Sequence, residues 1–520
     1  MKRPWLLPLG VFLFCAAVYG AAGPGRIDMI DGQYRFEVAR NILDYHSVQI
    51  GDVFLGGSVS GVLGEYSSYG ISGSLVALPL VLVSRALGAT SIERDQFFFS
   101  FTSSLFGAAA MALLVLFYLR LGVEPRRALG WTLVAAFATL YFPGSVTVFD
   151  QAQHAFFILC ACYCAHQGAR RDSMALMAAG GASLAALVNF QETYAIVFPT
   201  VAVAALANFG TSPADRRRAW ERVFVLLVVA GLGILVWAGF NKFRYGSFLF
   251  SGKGVNHPSP LGNPVIGLPG LLISPGKSIF LYSPAVLLAL AGLRHLVRAD
   301  RALGVAVIAT VAIHLAMISM LSFYGGDWCW GPRYFVATLP MLSLAFPFAA
   351  RPATSLRRFA YGAVVGVSFV IQLLGLSLDH HRFFYARSLP AFFWYADRTF
   401  YFHESALLSR PGEIVDSIRT GGVPAEAIAF RPGPYPELLT YAVFGGWNQD
   451  GLTSPQWMRR YAVFWLPRPW PLWMTSIDEG RRPIHVGAGL AVLAAMFIAG
   501  AALMRTALRR TLPPETHHAG

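Results

Sequence analysis

Apolar stretches recur from one end of this chain to the other, and polar loops separate them. They fall at residues 5–22, 71–87, 98–119, 129–148, 156–166, 174–190, 194–209, 223–240, 279–296, 305–321, 335–350, 359–377 and 486–508, which makes 12 or 13 hydrophobic segments. Most are close to the roughly 17–25 residues that a helix needs to cross the hydrocarbon layer of a bilayer. Backbone groups in lipid are satisfied within helices or closed barrels, and this pattern predicts an all-α polytopic membrane protein. Three parts follow: a transmembrane module over 1–378 with an outer first loop at 23–70, a soluble-looking region at 379–483, and a last helix with a cytoplasmic tail at 484–520. The region 379–483 is rich in aromatics and prolines and is expected to lie partly on the bilayer surface as interfacial helix. Its run 464–473 holds prolines too closely spaced for one regular helix and is expected to form an interfacial wall.

The polar run Arg26-Ile-Asp28-Met-Ile-Asp31-Gly-Gln-Tyr-Arg35 stands just after the first apolar stretch, and a short helix is expected over 33–43. It places Asp28 and Asp31 at the membrane surface. Charge then sets the orientation. The chain carries 41 Lys and Arg against 27 Asp and Glu, a formal charge of +14. These cations gather at Arg170-Arg171, 216–222, 294–301, 351–358 and 505–510, beside hydrophobic segments and in every second loop. That spacing marks cytoplasmic loops and not a nucleic-acid surface. The alternate loops, around Asp150, Gln191-Glu192, 242–277, 325–333 and 379–483, then share the outer face. One conflict remains in the count. Three apolar stretches separate Asp31 from Asp150, whereas two points on one side need an even number of crossings, so either 71–87 or 129–148 does not cross as drawn.

Composition agrees: 55% of residues are hydrophobic, 13% are charged, and mean hydropathy is +0.53. The five cysteines give no disulfide framework. In Cys160-Ala-Cys162-Tyr-Cys164, positions two apart on an expected helix do not face each other, and the cysteines are read as inert.

The outer loops collect the polar chemistry. The first offers Asp28, Asp31, Tyr34 and Glu37, the second Asp150, Gln151 and His154, and the third Gln191 and Glu192. A long fourth loop carries Lys242, Arg244, Lys253 and the run Ser274-Pro-Gly-Lys277-Ser-Ile-Phe-Leu-Tyr282-Ser-Pro284, and a further loop carries Asp327, Arg333 and Tyr334. Cations for a phosphate, a carboxylate to take a hydroxyl proton, and an apolar groove for a tail would together suit a lipid-phosphate substrate. Ser274-Pro-Gly-Lys277-Ser278 lacks the four-residue spacer of a nucleotide phosphate loop.

On these residues the chain resembles the multipass GT-C glycosyltransferases that use polyprenyl-phosphate-linked sugars, in particular the bacterial mannosyl-, aminoarabinosyl- and arabinofuranosyltransferase-like group. The resemblance rests on Asp31 in Asp31-Gly-Gln-Tyr-Arg-Phe-Glu-Val-Ala-Arg40, on Asp150 at the outer end of a later helix, and on Asn241-Lys-Phe-Arg244-Tyr-Gly246, Ser274-Pro-Gly-Lys277 with Tyr282-Ser-Pro284, and Gly331-Pro-Arg333-Tyr334. It covers roughly residues 1–380. It implies an inverting transfer of a sugar to a glycan, lipid or protein acceptor on the outer face of the bacterial inner membrane. Asp31 would be the general base, with Asp28 its nearest rival and Asp150 orienting the acceptor. Arg333 and Lys277 would hold the donor phosphate, helped by Arg244, with Tyr334 and Tyr282 in the same donor-binding runs. Gly32 would let the backbone turn and leave space for the sugar. No metal is expected; one would enter only if Asp31, Asp150 and Glu192 met. The chain departs from the group at Phe190-Gln191-Glu192, where many relatives have an arginine. A lipid-linked oligosaccharide polymerase or ligase, a lipid-linked-sugar transporter and a noncatalytic scaffold are the other classes that such a chain could serve, although no two-half repeat is apparent.

Overall fold

The computed structural model describes residues 5–23, 25, 27, 30–50, 58–88, 92–210, 212–253, 261–326, 329–349, 353–378, 383, 397–419 and 486–509. The expected interfacial wall at 464–473 and Asp28 lie outside the described residues. Helices dominate. Five of them, Arg94–Arg120, Pro213–Tyr245, Arg301–Ser319, Ser355–Ser377 and Gly487–Arg509, are long and apolar enough to cross a membrane, and shorter apolar helices stand beside them. The chain is a polytopic helical membrane protein.

In order, the first part runs α1 (Leu6–Ala22), α2 (Ile30–Tyr45), a hairpin of β1 (Ser58–Ser60) and β2 (Glu65–Ser67), α3 (Ser72–Ala86), α4 (Ile92–Ser100), α5 (Thr102–Arg120), α6 (Pro125–Phe137), α7 (Tyr141–Gly144), α8 (Gln151–Arg171), α9 (Met174–Val188), α10 (Phe198–Ala202) and α11 (Pro213–Tyr245). Then come α12 (Pro264–Ile273), α13 (Ile279–Tyr282), α14 (Val286–Ala299), α15 (Arg301–Ser319), α16 (Leu339–Ser343), α17 (Ser355–Ser377), α18 (Ala406–Arg419) and α19 (Val486–Arg509). Small residues bring helices close. Gly10 of α1 faces Gly500 of α19, and a methyl group on Gly10 would stand 2.9 Å from the Gly500 carbonyl.

The odd count between Asp31 and Asp150 has a geometric answer. α3 runs beside the polar helix α2 from end to end: the Tyr69 hydroxyl, just ahead of α3, donates to Asp31 at 2.7 Å, and Arg85 in its last turn pairs with Asp44 at 2.6 Å. The chain then returns along α4, where Ser84 donates to Asp95 at 2.6 Å. α2 and α3 thus form a layer of their own, and α4 leads directly into α5 as part of the long apolar stretch Arg94–Arg120. That stretch and the α6–α7 pair then separate the two aspartates along the chain, while Arg35 joins Asp150 to the helix that bears Asp31.

The stretch expected as one segment at 129–148 is broken. α6 stops at Phe137, and the freed backbone finds partners on other helices: Ser368 donates to the Ala138 carbonyl at 2.7 Å, and the Leu140 amide donates to Ser283 at 2.7 Å. Such breaks are tolerated at membrane depth when protein groups replace the lost bonds. The expected segments 194–209 and 335–350 are also composite, built of short 3-10 and α turns around Pro199, Pro340 and Pro347. Conversely, the expected loop from 241 is helical at its start, since α11 continues to Tyr245 and closes on Gly246, and α12 stands within it.

The opposite end of α8 from Asp150 is tied down by charge. Asp300 caps α15 through the Leu303 amide at 3.1 Å and meets His166 at 2.7 Å and Arg170 at 2.8 Å. Arg218 pairs with Asp172 at 2.6 Å nearby. All five cysteines are free.

The layered arrangement makes a direct topological prediction. Cysteines placed singly at Leu63, in the hairpin ahead of α3, and at Leu87, just past its far end, both exposed, should react with a membrane-impermeant maleimide from the same side of intact cells. Labelling from opposite sides would mean that α3 crosses the membrane.

Candidate functional site

The site begins with Asp31 in the first turn of α2, where the helix dipole favours a negative charge. Its carboxylate accepts a hydrogen bond from Tyr69 at 2.7 Å and lies 3.7 Å from the Arg333 guanidinium. Gly32 does not open room for a sugar as its sequence context suggested. A side chain there would run into Val148, so the glycine serves close packing of α2 on the segment ahead of Asp150.

Asp150 stands at the head of α8 and is only 4% exposed. Arg35, one helical turn beyond Asp31 on the same face of α2, meets it at 2.7 Å. His154 lies 3.4 Å away, and the Gln151 side-chain amide donates to it at 3.2 Å. Burial pushes the Asp150 carboxyl up, but Arg35 foremost, with His154, Arg333 and Lys253, more than offsets this, so the group titrates below its ordinary value. The Arg35 guanidinium also lies over the Tyr69 ring, 4.6 Å from its centroid. Asp31, Tyr69, Arg35 and Asp150 are therefore one contiguous set.

Arg333 opens a 3-10 turn at Arg333–Thr338 and is held between aromatic faces, 3.8 Å from the Phe149 ring centroid and 4.9 Å from that of Tyr334, whose hydroxyl it also contacts at 3.1 Å. The loop before it bends through Gly326 and Gly331, at φ of +79° and +63°, a backbone region that suits glycine. A side chain at Gly326 would run into Arg333 itself.

Other expected phosphate ligands stand elsewhere. Lys277 is buried with its ammonium donating to the carbonyls of Cys329 at 3.0 Å and Gly331 at 3.1 Å, so it fastens the loop that bears Arg333. Arg244 donates to the Ser67 carbonyl, to the Tyr69 carbonyl at 3.1 Å and to Asn241 at 2.8 Å, which fixes the strand leading to Tyr69. Tyr282 is buried, accepts from the Leu407 amide at 3.2 Å and packs edge-on against Trp330. Tyr334, another of the expected ligands, touches Arg333. Glu192 pairs with Lys253 at 3.2 Å and does not join Asp31 and Asp150, and no group of His, Cys, Asp and Glu among the described residues is arranged to hold a metal.

Arg35, Tyr69 and Phe149 were not singled out by sequence reasoning. The spacing of Asp31 and Arg35 by one turn was the available signal for the first; nothing local marks the other two. Beside Arg333 lies a groove walled by Leu140, Val146, Phe149, Trp330, Val336 and Leu376.

These features define a polytopic helical membrane protein with two aspartates, each facing an arginine, one of which, Arg333, lines a groove with mostly apolar walls. Several solved structures are similar to this chain in fold. ArnT from Cupriavidus metallidurans in the apo state is 12% identical, with 89% of this chain and 86% of that one covered at a TM-score of 0.45. The same protein bound to undecaprenyl phosphate is 14% identical, with 83% and 82% covered at 0.44. The apo oligosaccharyltransferase from Archaeoglobus fulgidus is 14% identical, with 71% of this chain covered at 0.44, and the match spans 56% of that longer protein. No family model and no curated protein matches the chain.

The Arg35–Asp150 pair makes a stability prediction with a defined sign. A carboxyl whose folded pKa is lowered stabilises fully above its unfolded pKa of about 3.9, and that contribution is lost as pH falls through the folded value. Arg35→Met leaves Asp150 buried without its partner and should cost about 3–5 kcal/mol near neutral pH. The gap to wild type should narrow on acidification toward about pH 4. Thermal unfolding in detergent across that range checks it; a gap that stays constant with pH would mean that the charge of Asp150 is not what Arg35 compensates.

Proposed function

We propose that this protein is an inverting glycosyltransferase that moves a sugar from a polyprenyl-phosphate-linked donor to a glycan, lipid or protein acceptor on the outer face of the bacterial inner membrane. The observation that carries this reading is Arg333, a buried cation 3.7 Å from the Asp31 carboxylate that also lines the apolar groove. One residue thereby joins a base, a phosphate-sized charge requirement and a surface for a lipid tail. The motifs that resemble the polyprenyl-phosphate-sugar-dependent GT-C group support the same reading, and the basic loops at the opposite end of α8 suit the cytoplasmic side.

In this reading the acceptor hydroxyl gives its proton to Asp31 as its oxygen attacks the anomeric carbon. The bond from that carbon to the phosphate oxygen breaks, and polyprenyl phosphate leaves with the electron pair. A single displacement inverts the configuration. Arg333 bears the charge that grows on the departing phosphate, in a setting where desolvation strengthens the interaction. Asp150 acts through Arg35 and Tyr69 to hold Asp31, and Lys277 acts through the 329–331 backbone to hold Arg333; both are positioning residues.

The test is sugar transfer from a radiolabelled polyprenyl-phosphate donor by purified, folded variants, with binding of undecaprenyl phosphate measured in parallel. Asp31→Asn should lower transfer by about 100-fold or more and leave binding near wild type, while Asp28→Asn should do less. Arg333→Ala should weaken binding by roughly 10- to 100-fold, as expected for a lost hydrogen bond to a charged group. Near-normal transfer by Asp31→Asn, or loss only in Asp28→Asn, would remove Asp31 as the base.

A further inference from the structure

The groove beside Arg333 is not a purely apolar slot. Three residues that line it each hold a buried side-chain atom with no hydrogen-bond partner among the described residues: Gln151 Oε1, Trp330 Nε1 and Thr147 Oγ1. Gln151 and Trp330 are only 4% and 5% exposed. The orientation of the Gln151 amide has a physical cause. Its Nε2 donates to Asp150 at 3.2 Å, and an ionised carboxylate only accepts, so the oxygen is the atom left over. Trp330 offers a donor and nothing else, and Thr147 serves as either.

We infer that this end of the groove is the subsite for the sugar ring of the donor, with Gln151, Trp330 and Thr147 reading its hydroxyls; this rests on the glycosyltransferase reading above. A buried polar atom without a partner carries a desolvation cost that a hydrocarbon tail cannot relieve. A phosphate cannot serve Gln151 Oε1, because its ionised oxygens have no proton to donate. A hydroxyl donates to Gln151 and accepts from Trp330, and neighbouring hydroxyls on one ring do both at once. The position fits as well. Arg333, which takes the phosphate, lines the same groove, and the sugar is bonded to that phosphate. Gly375 lies on the far wall against Trp330 Nε1, where any side chain would press on the indole nitrogen and occupy the approach.

The discriminating experiment compares two kinds of ligand on folded protein in detergent: undecaprenyl phosphate, and undecaprenyl phosphate carrying glucose, mannose or arabinose. At least one glycoside should bind wild type more tightly than the bare lipid phosphate. Trp330→Phe keeps the ring and removes the donor, and Gln151→Met keeps the length and removes the acceptor. Each should weaken that glycoside by roughly 3- to 10-fold, the effect of one neutral hydrogen bond, with undecaprenyl phosphate unchanged. If Gln151→Met fails to fold for want of its bond to Asp150, Trp330→Phe still decides. Parallel weakening of both ligand kinds would assign the groove to the lipid, and no change in either would place the sugar elsewhere; each result overturns the inference. Failure of wild type to bind any of these lipids would instead overturn the glycosyltransferase reading, and the sugar subsite with it.

Discussion

A carboxylate buried at the head of a 21-residue helix in a mostly apolar bundle is tolerable only if a cation meets it, and Arg35 does so at Asp150 from 2.7 Å. That pairing fixes the position of α2 against α8. Because Asp31 lies one turn before Arg35, it also fixes where Asp31 stands. Tyr69 then bridges the two, donating to Asp31 while its ring lies under Arg35. Arg244 holds the backbone on either side of Tyr69, so a residue far along the chain reaches the site through carbonyl groups and not through a ligand.

The second half of the site is built on the same logic with a different anchor. The loop that ends at Arg333 is irregular, and irregular backbone in this setting needs donors for its exposed carbonyls. Lys277 supplies them from inside the protein. The two halves meet where Arg333 lies beside Asp31.

Much of this was legible in the sequence, and the parts that were not share a cause. Length and hydropathy gave the membrane helices such as those ending at Arg120, Ser377 and Arg509 nearly in register. Residue type and order put Asp31, Asp150 and Arg333 at one end of the bundle. Hydropathy could not show that α3 runs beside α2, because an apolar stretch reads alike whether its helix stands alone in lipid or lies along a polar helix. Nor could it show the break after Phe137, whose backbone is satisfied by Ser283 and Ser368 from distant segments. Lys277, Arg244 and Tyr282 were expected at the donor because cations and tyrosines near a glycine-rich outer loop suit a phosphate. Many of their hydrogen bonds go to backbone groups instead, and a sequence does not reveal which backbone groups a fold leaves open. Gly32 was read as space, while the structure fills that space with Val148.

The central claim is that Arg333, and not the more numerous exposed cations, takes the lipid phosphate next to Asp31. A cryo-electron microscopy structure with undecaprenyl phosphate bound tests it most directly. The account predicts phosphate density within hydrogen-bond reach of the Arg333 guanidinium, with the tail leaving along the apolar wall of the groove and Lys277 still on the 329 and 331 carbonyls. Phosphate seated at Lys242 or Lys253 with Arg333 unmoved would contradict it.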